Sequence, residues 1–541
     1  MTITITRIGS SPSSNVATNE AGSDRHVFRN VSNGNADRLY QCRDDSWSGG
    51  LLAAQHGQRI DPQGPEGRHQ RGRQAGGEPC RPAENILRCV KASVVGYALL
   101  AIVTTAVGRQ QAAAVWPQPA AAITVGPNVR VSAGRPDEAH YEVHAAAHPS
   151  DPSRLLVAAI IYPKVGRRGT LVYASTDGGK SWTPSLHGDA LENTGDPAVG
   201  YGADGTGYFA TLTANGHPLQ MRPEKPAHNW DGRKTLLYRL PAGGTRWEGP
   251  AQLRFADREY IVADATGGRY HGRVYVTGDP RPDSGFVVFA STDGGRTFSD
   301  AGAESDTRGA SIGNAVVASD GTLIGVYADP GHVRAVTSTD GGQTLRPSTV
   351  VDRFVRAGGR KDAAHDNVNH FMSAAIDASR GPYWDRVYVV WPDRRTGRSQ
   401  IYFAHSADKG ATWSTSRVVT DNPASDSTDQ FMPTLAVNED GVVGLLWYDR
   451  RDNPDNRSYH ARFSASLDGG ATWTPSVRVS TDPYAAGPVS RQSAFFGNGG
   501  DTAGLAAAAD GLFHPVWVDD RTGVPQAWTA AVRVEGARTR P

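Results

Sequence analysis

The sequence predicts an all-β fold, a β-propeller built from four-stranded antiparallel blades. Three observations lead to this prediction. Glycine and proline are abundant, with 62 and 34 residues in a chain of 541, which indicates many turns and argues against a helical bundle. One turn motif returns five times along the chain. Short strand-like runs precede and follow each copy, as expected for the blades of a propeller.

The repeated turn motif has the pattern S-x-D-x-G-x-x-W. Its five near-intact copies lie at residues 175–182, 291–298, 338–345, 406–413 and 466–473. A weaker copy at 240–247 keeps glycine and tryptophan but lacks the serine and the aspartate. The glycines permit left-handed backbone, the serine and aspartate can bond the amides of the turn, and the tryptophan supplies apolar surface. We therefore interpret the motif as structural.

The strand-like runs divide the chain into units of about 60 residues, the size of a four-stranded blade. First strands are expected to begin near Glu142, Asp196, Glu259, Ser311, Phe371, Gln430 and Thr502. This count predicts seven blades, with six as the alternative. The last blade ends at its third strand, 527–534, and the run 128–132 resembles a fourth strand without a blade. We predict that this N-terminal strand pairs with the last blade and closes the ring.

The N-terminal part of the chain has a different composition. Residues 1–89 lack lysine and contain few apolar residues, so they are expected to be disordered or to lie upstream of the true translation start, near Val90. Residues 90–114 combine basic residues, an uncharged apolar run and small residues, the pattern of a secretory signal peptide. A signal anchor behind a cytoplasmic tail is the alternative. Residues 115–541 then form the propeller.

Charge and cysteine content exclude several classes of function. Lys plus Arg is 56 and Asp plus Glu is 55, without the basic excess typical of nucleic-acid binding. The three cysteines all lie in the first 89 residues, so the propeller contains no disulfide, thiolate metal site or cysteine nucleophile. We expect a secreted protein, a monomer, without a stable membrane span once the signal peptide is cleaved.

The repeated motifs resemble the Asp boxes of the sialidase (neuraminidase) superfamily, also called BNR repeat proteins. The resemblance covers about residues 127–534. It implies a secreted propeller that acts on glycans. The site implied by the resemblance has an arginine triad that binds the substrate carboxylate, a tyrosine nucleophile with a glutamate partner, and an aspartate that acts as the acid. Sialidases have six blades, however, and their first arginine lies in an F/Y-R-I-P motif on the first strand. The similar string here, 238–241, lies mid-blade, so no catalytic residue transfers by position.

One face of the propeller is expected to carry the turns that join second and third strands. Three of these turns have a Trp-x-Asp-x-Arg pattern and contain the pairs Asp393 and Arg395, Asp449 and Arg451, and Asp519 and Arg521. Because equivalent turns surround one axis, we expect the three guanidinium groups to bind one anionic ligand, offset by the three aspartates. The alternative is that each pair is a salt bridge within its own turn.

Linkers between blades bring further charged residues to the same face. Asp257, Arg258 and Glu259 form one group, and Asp501 belongs to another. We expect Arg258 and Asp501 to bind substrate, Tyr448 to be the nucleophile with Glu259 as its basic partner, and Asp257 to complete the catalytic set. A metal site at 365–370, which contains two histidines, has little support. No cofactor is expected, although acidic loops could hold Ca²⁺.

These features predict a secreted, sialidase-like glycoside hydrolase that acts on acidic, sialic acid-type glycans. The alternative is a propeller without catalytic activity that binds a glycan or a protein.

Overall fold

The computed structural model describes residues 122–536, apart from 164–167, 187–190, 193, 215–232, 255, 281–284, 300–301, 307, 309–310, 357–370, 455 and 485–498. Regular structure in this part of the chain consists of β-strands. The described residues include no helix long and apolar enough to span a bilayer. The expectations for residues 1–89 and 90–114 lie outside the described residues.

The strands form a seven-bladed β-propeller of antiparallel sheets. The chain enters with β1 (Ile123–Val125) and β2 (Val129–Arg130). Blade 1 consists of β3 (Ala139–Ala147), β4 (Leu155–Tyr162), β5 (Gly169–Ser175) and β6 (Thr183–Pro184), and the short β7 (Leu191–Glu192) also pairs with β5. Blade 2 consists of β8 (Gly195–Tyr201), β9 (Gly207–Ala214), β10 (Arg233–Leu240) and β11 (Glu248–Arg254). Blade 3 consists of β12 (Asp257–Ala263), β13 (Val274–Asp279), β14 (Val287–Ser291) and β15 (Ala303–Glu304).

The next three blades repeat the same order of strands. Blade 4 consists of β16 (Ser311–Val317), β17 (Leu323–Ala328), β18 (His332–Ser338) and β19 (Thr349–Arg353). Blade 5 consists of β20 (Ser373–Ile376), β21 (Val387–Asp393), β22 (Gln400–Ser406) and β23 (Arg417–Val418). Blade 6 consists of β24 (Gln430–Val437), β25 (Val443–Asp449), β26 (His460–Ser466) and β27 (Val477–Arg478). The predicted starts of the first strands agree with these bounds to within a few residues.

Blade 7 combines strands from both ends of the chain. It contains β28 (Gly504–Ala507), β29 (Phe513–Asp519), β30 (Gln526–Thr529) and β31 (Val532–Val534). Strand β2 pairs with β30, and β1 pairs with β31. The predicted third strand at 527–534 is therefore divided in two. Pro127, which lies opposite this interruption between β1 and β2, has no N–H to donate to the ladder.

The first strands of the seven blades surround the axis. Each contacts the first strand of the next blade, and β28 of blade 7 contacts β3 of blade 1. Apolar side chains fill the spaces between adjacent sheets. Fully buried tryptophans on the second strands of blades 5, 6 and 7 are Trp391, Trp447 and Trp517. The inner strands are thus held as a ring around a central channel.

The S-x-D-x-G-x-x-W motif forms the turn between the third and fourth strands. In the first copy the Ser175 hydroxyl accepts a hydrogen bond from the Gly179 amide at 2.9 Å, and the Asp177 carboxylate accepts one from the Ser181 amide at 2.9 Å. Gly179 has a φ of 82°, which a side chain would strain. Trp182 is buried and donates its indole N–H to the Gly179 carbonyl at 3.1 Å. In this copy the side chains of Ser175, Asp177 and Trp182 all bond within the turn.

Candidate active site

The candidate site lies at irregularities in the pairing of the inner strands. In blades 1, 2 and 3 the pairing of the first and second strands shifts register near Glu142, Asp196 and Arg258. These three residues have φ values of 51°, 49° and 56°. Left-handed backbone costs a side chain of this kind about 1 kcal/mol or more, and such strain is often found at functional sites. Three successive blades thus present a charged residue at the same strained position.

The three bulges open onto one polar cavity at the mouth of the channel. Its lining includes Glu142, Asp196, Arg258, Glu259 and Asp501. Phe371 and His144 line both this cavity and a larger space of about 170 Å³ inside the channel. All seven first strands, or the residues beside them, contribute to the walls of that larger space. The carboxyl groups therefore lie at the entrance to a space that could hold a small ligand.

Arg258 organises the carboxyl groups of the mouth. Its guanidinium group lies 3.2 Å from the Asp501 carboxylate and 3.7 Å from the Asp257 carboxylate. Its backbone amide donates a hydrogen bond to Asp196 at 3.3 Å. The guanidinium carbon lies 4.2 Å from the centre of the Phe371 ring, a cation–π contact. One arginine thus links carboxylates from three blades.

Burial and mutual repulsion raise the proton affinity of these carboxyl groups. Burial, reinforced by the neighbouring Asp257, raises the pKa of Asp196 to about 7. Burial and the charge of Asp196 raise the pKa of Glu142 and the pKa of Glu259 well above the usual range. Neither side-chain oxygen of Glu259 has a hydrogen-bond partner among the described side chains and amides of other residues. A polar group of a ligand could complete its bonding.

The histidine in the channel is held neutral. Burial lowers the pKa of His144 to about 4, and its ring lies 5.4 Å from the ring of Tyr260. The mouth therefore combines carboxyl groups of raised pKa, an ion pair between Arg258 and Asp501, and a neutral imidazole. This combination can donate a proton, accept a proton and stabilise positive charge, which is the chemistry that cleavage of a glycosidic bond requires.

Metal binding has no support from the part of the chain that the structure describes. No group of three or more His, Cys, Asp or Glu side chains there is placed to hold an ion. The two histidines at 365 and 370 lie outside the described residues.

Four of the residues predicted for the site lie together in the mouth. Asp257, Arg258 and Glu259 begin the first strand of blade 3, and Asp501 lies in the linker before blade 7. Sequence reasoning used Glu142 and Asp196 only to mark where blades begin and did not assign them to the site. The signal that could have found them is their alignment with Arg258 at the start of consecutive blades.

Tyr448 lies elsewhere, and its assignment as the nucleophile is wrong. Its ring is fully buried and stacks on Tyr459, with ring centres 4.2 Å apart. Its hydroxyl accepts a hydrogen bond from the Val518 amide at 3.1 Å, and burial raises its pKa. Side chains alternate along a strand, and at this position of β25 the side chain enters the core between blades 6 and 7. A substrate at the mouth would not reach it.

The three arginines of the Trp-x-Asp-x-Arg turns do not bind one common point. Arg395, Arg451 and Arg521 each contact the aspartate of their own turn, Asp393, Asp449 and Asp519, at 2.7, 2.7 and 2.5 Å. Each also contacts an aspartate at the end of the outermost strand of the preceding blade, namely Asp352, Asp421 and Asp482, at 2.7, 2.7 and 3.2 Å.

The turn aspartates are occupied as well, because each accepts the indole N–H of its own tryptophan. The arginine follows the turn and points toward the outer strand of the neighbouring blade rather than toward the axis. The prediction of a three-arginine ligand site is therefore wrong. The alternative, that each pair is a salt bridge within its own turn, agrees with the observed contacts. The 238–241 string is also structural, since Arg239 pairs with Glu248 at 2.8 Å.

Comparison with protein-family models and with curated proteins gives no match for this sequence. Solved structures similar to this one include a Dyadobacter fermentans protein of unknown function, with 13% identity, a TM-score of 0.41, and coverage of 76% of this chain and 99% of that one. A leech intramolecular trans-sialidase has 12% identity, a TM-score of 0.41, and coverage of 69% and 71%. An ulvan lyase of polysaccharide lyase family PL25 has 13% identity, a TM-score of 0.40, and coverage of 75% and 98%. Similarity at this level assigns no activity or site to this protein.

Proposed function

We propose that this protein is a glycoside hydrolase whose active site is the polar mouth of the propeller. The observation that carries the proposal is the set of carboxyl groups held around Arg258 on strained bulges of consecutive inner strands. Glycosidic cleavage needs one carboxyl that is protonated and a second that is ionised. The raised pKa of Asp196 and the ion pair of Asp501 with Arg258 supply such a combination.

In this proposal Asp196 is the general acid. With a pKa of about 7 it is largely protonated in mildly acidic solution and about half protonated at neutral pH, and it donates that proton to the oxygen of the leaving group. Asp501 provides the carboxylate that assists attack at the anomeric carbon. Glu142 and Glu259, whose pKa values are raised by burial, lie beside the reacting groups, and their carboxyl groups can hydrogen-bond to sugar hydroxyls. Water supplies the hydroxyl group of the new hemiacetal.

The substrate class is a glycan, and a sialic acid-type residue is the finer proposal. That finer proposal now depends on Arg258 and Arg168, because the three turn arginines bind protein carboxylates instead. Arg168 acts electrostatically on both Glu142 and Asp196. A ligand carboxylate would compete with Asp501 for Arg258. Secretion through the expected leader at 90–114 belongs to the same proposal.

A propeller that binds a glycan at the same mouth without cleaving it is the second candidate. The close pairing of Arg258 with Asp501 favours it, because this ion pair holds the site together without any chemical step. Such a protein would retain a ligand at the mouth without turnover.

The test compares fluorogenic glycosides, both sialosides and neutral hexosides and pentosides, with the purified protein over a pH series. We expect turnover of at least one glycoside by the wild type and turnover slower by roughly 10²-fold or more by Asp196→Asn or Asp501→Asn in folded form. Binding without release of the fluorophore by any substrate would support the second candidate. Equal turnover by wild type and both variants would place the chemistry elsewhere.

A further inference from the structure

Two loops on the opposite face of the propeller have the same construction. They join the first and second strands of blade 3, at 264–273, and of blade 5, at 377–386. Each begins with a buried aspartate, Asp264 or Asp377, and ends with an arginine, Arg273 or Arg386. The arginine lies over a tyrosine of its own loop, at 4.6 Å in blade 3 and 4.5 Å in blade 5. It also donates a hydrogen bond to a backbone carbonyl in the S-x-D-x-G-x-x-W turn of the next blade, at 2.6 and 3.0 Å.

The two loops carry different side chains at an exposed position near their ends. Blade 3 has His271 where blade 5 has Trp384, and 48% of Trp384 is accessible to solvent. Among the residues that the structure describes, three large apolar side chains are exposed, and Trp384 is the aromatic one. Because the blade 3 loop adopts the same contacts without tryptophan, the fold of the loop does not require this ring. Its exposure therefore needs another explanation.

The blade 5 loop is also held more firmly than its counterpart. Asp385 occupies the left-handed position that Gly272 fills in blade 3, with φ values of 64° and 79°. Its carboxylate accepts a hydrogen bond from the Ser319 amide at 2.8 Å and lies 3.3 Å from the Lys409 ammonium. Asp385 is in a strained conformation and is held by Ser319 of blade 4 and Lys409 of blade 5, so it presents Trp384 on a fixed support.

Residues of the same loop line a small cavity together with residues of blade 6. Asp377, Pro382, Tyr383 and Asp440 line it, and its volume of about 20 Å³ accommodates a group the size of one water molecule. Asp377 is buried, with an exposed fraction of 1%. Its Oδ2 atom has no hydrogen-bond partner among the described residues. A buried acceptor of this kind is expected to receive a donor from a ligand or from water.

We propose that Trp384 and this cavity form a second carbohydrate-binding site, separate from the mouth of the propeller. The C–H face of a pyranose ring packs on the electron-rich face of an indole, while hydroxyl groups need hydrogen-bond partners at the edge of the ring. The Asp377 Oδ2 atom can accept from one hydroxyl group. The Arg380 guanidinium group, 5.7 Å from the Trp384 ring, can donate to another. A flat aromatic surface and polar groups within one loop suit a sugar better than an apolar protein surface.

Binding is tested by affinity electrophoresis in gels that contain arabinan, pectin or mucin, and on an array of sialylated and neutral oligosaccharides. The measurements use the purified full chain carrying Asp501→Asn, so that cleavage at the mouth does not remove the ligand. Trp384→Ala, added to this background, is expected to weaken retention at least ten-fold on the glycan that binds. Trp384→Phe should recover part of it. The matched control, His271→Ala in the equivalent loop of blade 3, should leave retention unchanged.

Hydrolysis of a small fluorogenic glycoside separates this proposal from the proposed function. Trp384→Ala in an otherwise wild-type chain should hydrolyse the small glycoside at the same rate as the wild type. This holds also if the wild type shows no hydrolysis. Unchanged retention by Trp384→Ala, or no retention of the full chain by any of these glycans, would overturn the second site. A dimer in light scattering that Trp384→Ala converts to a monomer would also overturn it, since the ring would then pack against another copy of the chain.

Discussion

The mouth of the propeller and its Trp-x-Asp-x-Arg turns are both built from aspartate and arginine, but the two regions use them differently. In the turns, each arginine contacts two aspartates, and each turn aspartate also accepts the indole N–H of a tryptophan. In the mouth, several carboxyl groups share Arg258, and Glu259 has no side-chain partner among the described residues. The comparison teaches that residue type alone does not identify a site. The distinguishing feature is whether the protein itself satisfies the charges.

The backbone differs in the same way between the two regions. The turns are regular hairpin connections of β21, β25 and β29, whereas the mouth is formed by bulges with left-handed residues. Strained backbone and a buried carboxyl without a hydrogen-bond partner, that of Glu259, coincide in the mouth, whereas the aspartate of each turn is bonded to its own arginine. Both features reduce stability, so their joint presence at one place favours a functional role there.

The largest expected effect separates the two regions by activity. Asp196→Asn removes the proposed general acid while keeping the size of the side chain, and we expect kcat/KM to fall by roughly 10²–10⁴-fold. Steady-state kinetics with the best fluorogenic glycoside measures this, with circular dichroism as the check on folding. Asp449→Asn in a turn is the control and should keep full activity per folded molecule. Full activity of folded Asp196→Asn would remove it from the proposed mechanism.

The next effect concerns stability. The loss of stability should be large for a substitution in the turns and absent for one in the mouth. Asp449→Ala leaves the buried Trp447 indole and the Arg451 guanidinium without their shared partner, which lies 2.7 Å from each. Breaking one partner of a buried ion pair costs about 3–5 kcal/mol. Denaturant unfolding should show that loss, and Asp196→Asn should show none of it. If Asp449→Ala is as stable as the wild type, the contacts in the turns do not hold adjacent blades together.

The dependence of stability on pH should have two parts of opposite sign. In the mouth, the pKa of Asp196 is about 7 in the folded protein, against an ordinary value of 3.8. Between these values the unfolded chain holds fewer protons, so stability falls as the pH rises through this window. In the turn motif, hydrogen bonds from Ser181 lower the pKa of Asp177 to about 2. There the unfolded chain holds more protons, and stability rises with pH between about 2 and 4.

Unfolding measured at a series of pH values tests both parts. Asp196→Asn should reduce the slope of the falling part, to which Glu142 and Glu259 also contribute, without changing the rising part. Asp177→Asn should reduce the slope of the rising part, to which Asp293 and Asp340 also contribute, without changing the falling part. A falling part that persists unchanged in Asp196→Asn would show that other groups are responsible for it.

The smallest expected effect is the backbone strain itself. Glu142→Gly and Glu142→Ala both remove the buried carboxyl, but only glycine adopts a φ of 51° without strain. We expect the glycine variant to be more stable than the alanine variant by about 1 kcal/mol. Thermal unfolding of the two variants measures the difference. Equal melting temperatures would mean that the bulge relaxes when the side chain is removed.

Much of the fold could be predicted because its signals are local in the sequence. The spacing of the S-x-D-x-G-x-x-W motif and the strand-like runs around it indicated seven blades, and first strands begin near the predicted positions. The grouping of Asp257, Arg258, Glu259 and Asp501 was also predicted, because residues in linkers between blades lie on one face. Glu142 and Asp196 were missed, since their bulges appear only once the first and second strands are paired.

The predictions for Tyr448 and the three turn arginines failed for a different reason. Their positions in the sequence were read correctly, at the ends of second strands, but the direction of each side chain was not. Tyr448 enters the core between two blades, and Arg395, Arg451 and Arg521 reach back to the preceding blade. Equivalent positions around a ring do not ensure that side chains converge on its axis, because an outer strand can provide closer partners.

The sequence by itself determined the strand repeat, the turn chemistry and the face on which charged residues gather, because these depend on spacing and on local hydrogen bonding. Only the tertiary structure decided which charges remain available to a ligand. That outcome depends on distances between blades, on burial and on backbone conformation. A carboxylate with an arginine and an indole beside it stabilises the fold, whereas one held on a strained bulge among other carboxylates retains a proton that it can donate.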